Sequence, residues 1–69
     1  MNIDIRKYII DNFKEANLDD IEKSIEESIE KKEEITLPGL GALMEILWKQ
    51  STKEDKNKML QVIRKGLES

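Results

Sequence analysis

Apolar positions along this chain recur at helical spacing, and nowhere do they alternate with polar positions as a half-buried strand requires. Ile5, Tyr8, Ile9 and Phe13 are separated by three, one and four residues, which gathers them on one face of a first helix. Asn2 or Asp4 can cap its start. Glu15-Ala16-Asn17 interrupts the pattern, and Asn17 is the expected N-cap of a second helix with Asp19 and Asp20 in its first turn. There Leu18, Ile21, Ile25 and Ile29 form a narrow stripe with Ser24 and Ser28 beside it, suited to covering one neighbour.

Glu33–Leu37 carries the β-branched Ile35 and Thr36, and an extended link is expected there. Pro38 pushes Leu37 towards extended geometry and can open a third helix at its first position. Gly39 and Gly41 permit backbone angles or close approaches that a Cβ would block, so Pro38, Gly39 and Gly41 are read as a structural turn. Leu40, Leu43, Met44, Leu47 and Trp48 then fall at 0, +3, +4, +7 and +8, a complete apolar face. Ile46 adds a second apolar side, so this third helix is expected to be the most buried. Its face is expected to be either the centre of the monomer core or a dimer contact.

Ser51 and Glu54 have the S-x-x-E spacing of a capping box. They predict a fourth helix carrying Met59, Leu60, Val62, Ile63 and Leu67, closed by Gly66 with Leu67 folding back on the last turn. The expected fold is all-α: a single small domain, residues 1–69, of about four helices in two pairs joined at the Leu-Pro-Gly-Leu-Gly turn.

A domain of 69 residues buries only about 60% of its unfolded surface and is marginal without good packing or a partner. There is no cysteine, so no disulfide supplements that core. The absence of both His and Cys removes the commonest general base, the best nucleophile and the soft metal ligands. Glu26 and Glu30 sit at i, i+4, which is ordinary helix surface rather than a cation site. Gly39-Leu40-Gly41 lacks the third glycine and the following Lys-Ser/Thr of a phosphate loop. No catalytic residue, metal or cofactor is expected, and the chain is not expected to be an enzyme. No apolar run approaches the roughly 20 residues of a membrane span, and no secretory signal is recognisable. A soluble intracellular protein is the expectation.

Charge is divided along the chain. Asn17–Glu34 has eight carboxylates against three lysines, a net of −5, whereas Lys49–Lys65 has six cations against two carboxylates, a net of +4. Two solvated helix faces that attract each other, within one chain or across a dimer, account for this pattern. The alternative is a polyanion partner, with Lys53, Lys56, Arg64 and Lys65, helped by Lys49 and Lys58, as nucleic-acid contacts. The overall charge of −3 does not favour it.

Three blocks together resemble the small, acid-soluble spore protein I-type family of endospore-forming bacteria. They are Asn2-Ile3-Asp4-Ile5-Arg6 with Ile9-Ile10 and Asn12; Glu33-Glu34 with Leu37-Pro38-Gly39-Leu40-Gly41-x-Leu43-x-Glu45-x-x-Trp48; and Asp55-Lys56-Asn57-x-Met59-Leu60 with Gly66-Leu67. Tyr8 and Phe13 depart from that pattern, as does the lysine-rich, acidic second helix. The resemblance implies expression in the forespore, accumulation in the spore core and no enzymatic activity. It brings no mechanism, and DNA coating belongs to a different family of spore proteins. Asn17–Gly41 alone is similar to the helical hairpin of HU-type histone-like nucleoid proteins, a hairpin that dimerises. Here, however, the glycine pair leads into an apolar helix, and no Arg-Lys arm follows.

Overall fold

The Asp4 carboxylate accepts the Lys7 backbone N–H at 3.0 Å and so satisfies one of the free donors at the start of α1, Ile5–Phe13. The structure, a computed structural model, describes residues 4–69; Asn2, the other expected cap, lies outside them. Asn17 caps α2, Leu18–Lys31, by accepting the Asp20 N–H at 2.8 Å, with Asp19 and Asp20 in the first turn as expected. Lys32 ends α2 in the left-handed region at φ 52°, a conformation that crowds its Cβ. Lys32→Gly is expected to raise stability by roughly 0.5–1 kcal/mol, because glycine reaches that geometry without the clash. A urea midpoint that is unchanged or lower would contradict this.

The link after Lys32 is not extended. Only Glu33 is; Glu34–Thr36 form a 3-10 turn whose Thr36 hydroxyl donates to the Glu33 and Ser28 carbonyls at 2.8 and 3.2 Å. Those bonds override the β-branched preference, and the chain passes straight into α3, Leu37–Gln50. The expected Leu-Pro-Gly-Leu-Gly turn is therefore helix. Pro38 occupies the first turn of α3, where its missing N–H costs nothing, but Leu37 is helical at φ −61° and ψ −42°. No glycine among the described residues has positive φ. A Cβ added at Gly39 would make ordinary contact with Ile9 Cδ1 at 3.5 Å, and at Gly41 it would meet nothing within 4 Å.

The capping box opening α4, Lys53–Glu68, is shifted by one residue from the expected position. The Thr52 hydroxyl accepts the Asp55 N–H at 3.1 Å, and Asp55 Oδ2 accepts the Thr52 N–H at 3.2 Å. The Ser51 hydroxyl instead donates to the Leu47 carbonyl and closes α3. Gly66 is not a terminator either: α4 runs through it to Glu68, and Leu67 points into solvent rather than back onto the helix.

The all-α expectation holds, with four α-helices and no strand among the described residues. The helices are not arranged as two pairs. Both α1 and α2 pack on α3, α1 the more closely, and α4 makes only sparse contact. Ile9 of α1 and Ala42 of α3 are the buried apolar residues, while Phe13, Ile21, Ile25, Leu40 and Leu43 are half-buried. Tyr8, expected on the inner face of α1, is 62% exposed. Nor is α3 sealed: Met44, Ile46 and Leu47 remain open because α1 and α2 leave one side of it uncovered.

Candidate functional site

Arg6 on α1 faces Glu45 on α3, and the two side chains form a fork: Nε donates to Oε1 at 2.6 Å and Nη2 to Oε2 at 2.8 Å. Two parallel charge-assisted bonds fix the angle between the helices as well as their distance. The bond from Arg6 holds the Glu45 carboxyl below the usual carboxylate range, and the same bond raises the Arg6 guanidinium. Both groups are solvated, so the pair orients α1 rather than storing reactivity.

A group whose folded pKa is depressed stabilises the fold above its unfolded pKa, here about 4.3, and loses that contribution as pH falls through the folded value. Wild type is therefore expected to lose thermal stability more steeply than Glu45→Gln between about pH 4.3 and the acid limit of folding. Parallel melting profiles for the two proteins would contradict the assignment.

Beside this pair lies an open groove of about 810 Å³ between α1, α2 and the uncovered side of α3. Ile10 and Phe13 line it from α1, Ile21 and Ile25 from α2, and Leu43 and Leu47 from α3. Of the residues expected to form the core or a dimer contact, Leu40, Leu43, Met44 and Leu47 all border this groove. Trp48 does not. It turns towards α4, where Lys56 Nζ stands 5.1 Å from the ring centroid in cation–π geometry. Sequence reading identified the α3 wall; the walls from α1 and α2 required knowledge of which helices pack on α3.

The cations expected to contact nucleic acid do not form one free face. Lys56 is engaged with Trp48, Arg64 lies 3.9 Å from Glu68, and Lys58 lies 3.9 Å from Glu54. Lys53 lies on the same side of α4 as Lys56 and Arg64, whereas Lys65 is about 100° further round from Arg64. Among the described residues, no group of three or more acidic side chains is arranged to hold a metal ion, and no helix is long and apolar enough to cross a membrane. The arrangement presents apolar surface with charged margins, which can bind another surface.

Comparison with known proteins gives a match to the family described as small, acid-soluble spore protein I over residues 3–67. Proteins of that name are similar along nearly their whole length. The one from Bacillus licheniformis is 35% identical over 69 residues, 100% of this chain and 99% of the relative. The one from Bacillus velezensis is 39% identical over 67 residues, 97% and 94% of the two chains. The one from Bacillus subtilis is 36% identical over 67 residues, with the same shares. No solved structure matches the chain.

Proposed function

Because this chain belongs to the small, acid-soluble spore protein I family, we propose that it is a non-enzymatic protein of the spore core that acts in sporulation through surface contacts. The observation that carries this reading is the family match, which takes in both helices of the Arg6–Glu45 fork and the open face of α3. Its side-chain chemistry supports the same reading. Its Arg6–Glu45 contact spans two helices and serves orientation, and the groove beside it is apolar. Accumulation begins in the forespore, and the mature spore core retains the protein.

The test is made in a spore former carrying the gene. A fluorescent fusion is expected to light the forespore and not the mother cell. Deletion is expected to alter spore yield, resistance, germination or outgrowth, with the defect restored by the wild-type gene. A deletion strain indistinguishable from its parent in all four would contradict a role in sporulation.

A further inference from the structure

A compact monomer of 8.1 kDa exposes roughly 4,500 Å², whereas this chain exposes 6480 Å², an excess on the order of 2,000 Å². Its radius of gyration is 13.3 Å, against about 11 Å for a compact domain of this length. The excess includes two apolar surfaces that do not cover each other. One is the groove between α1, α2 and α3. The other is the distal half of α4, where Leu60, Ile63 and Leu67 fall at i, i+3 and i+7 and are 52%, 45% and 81% exposed. That spacing is how an amphipathic helix anchors in an apolar groove.

We propose that the occupant of the groove is a second copy of this chain, with the distal half of α4 from each copy seated in the groove of the other. The geometry disfavours α4 turning into its own groove. Ser51 and Thr52 leave only a two-residue connection, both engaged in closing α3 and capping α4. Lys56 over Trp48 then holds the first turns of α4 on a side of α3 that does not border the groove.

Charge also points to a second copy. On α2 the half-buried Ser24 and Ser28 flank one side of the apolar stripe, and the exposed row Glu22, Glu26 and Glu30 flanks the other. On α4, Lys53 lies seven residues before Leu60, in line with the Leu60–Ile63–Leu67 stripe, and makes no ion pair among the described residues. Yet no ion pair among the described residues joins α2 to α4. The α2 carboxylates and Lys53 thus remain available to each other across an interface, where they set register and orientation. The area agrees: two chains each covering on the order of 2,000 Å² fall within the 2,000–5,000 Å² of obligate homodimers. Reciprocal seating is isologous, so it closes at two copies and leaves no free groove to propagate a filament.

The inference deepens the interaction reading above by naming the partner, and the two fail separately. A monomer with a spore phenotype removes the dimer, whereas a dimer without one removes the spore role. Because the chain lacks cysteine, single cysteines report the seating directly. Ile63→Cys in an untagged copy is mixed with Leu47→Cys, and separately with Met44→Cys, in a size-tagged copy and oxidised. A mixed-size disulfide dimer is expected in at least one mixture, because the seated helix brings position 63 within reach of the groove wall. Disulfide dimers formed only between like copies, or no disulfide dimer at all, would overturn the proposal. As a second arm, Leu60→Glu with Ile63→Glu alters residues that are about half exposed within one chain and should leave the helices formed. This variant is expected to elute as a single chain with wild-type circular dichroism. Elution identical to wild type would overturn the proposal as well.

Discussion

Ile9→Ala is expected to remove a large part of the protein's stability at 25 °C. Ile9 is 7% exposed and lies directly on α3 beside Gly39, so little else closes the space it fills. Truncating a buried isoleucine to alanine costs about 2–5 kcal/mol. A domain of this length has only about 3–10 kcal/mol to lose, at the usual 0.05–0.15 kcal/mol per residue. Ile9→Val removes one methylene and costs about 0.5–1.5 kcal/mol, a drop of about 10 °C or less in melting temperature. Tyr8→Ala, one residue away but 62% exposed, is expected to stay within about 0.5 kcal/mol of wild type. Circular dichroism melts of the three variants test the ranking. A cooperative, near-wild-type melt for Ile9→Ala would mean that the α1–α3 contact is not the core.

Trp48→Ala is expected to destabilise by about 2 kcal/mol, since full burial of a tryptophan is worth about 3–5 and this ring is half-buried. The loss falls on α4, because Trp48 and Lys56 form a contact between α3 and α4. Lys56→Ala alone costs about 0.5–1 kcal/mol, as an exposed cation–π pair does. The double variant should cost less than the sum of the two singles, because each single change removes the same contact. Strict additivity would show that α4 is held by something else. Faster amide exchange confined to α4 is the accompanying signature in Trp48→Ala.

The helices themselves were legible because each carries its own periodicity and its own start signal, and Asn17 capping α2 is the clearest case. Where sequence reading missed, two local signals competed. Ser51 and Thr52 both carry capping hydroxyls, and the Leu47 carbonyl takes the first while the second pairs with Asp55. Pro38, Gly39 and Gly41 carry turn chemistry, yet a proline is harmless in the first turn of a helix, and the Thr36 hydroxyl already tightens the preceding link. Gly66 carries a C-cap signal, but its φ is not positive and the helix continues past it to Glu68.

The groove was half legible. The face formed by Leu40, Leu43, Met44 and Leu47 follows from spacing alone, but its opposite walls depend on α1 and α2 sharing α3. Spacing places Trp48 on that face because a helical projection cannot tell which neighbour claims the edge of a wide apolar arc. The Arg6–Glu45 fork joins residues 39 positions apart, and only the packing of α1 on α3 brings them together. Both residues were already visible in the two blocks that carry the family resemblance. The fork gives those blocks a shared physical task, which is to set α1 across α3 and so shape the groove beside it.

The proposed dimer rests on the apolar residues that this chain leaves exposed. Sedimentation equilibrium over a hundredfold range of protein concentration puts that to the sharpest test, read beside helix content on the same samples. A mass of twice the 8.1 kDa chain, about 16 kDa, is expected at the upper end of the range. Dilution should lower the mass and the melting temperature together, because association stabilises the folded state by mass action. A mass of 8.1 kDa at every concentration, with full helix content and one unchanging melting temperature, would show instead that the single chain is self-sufficient.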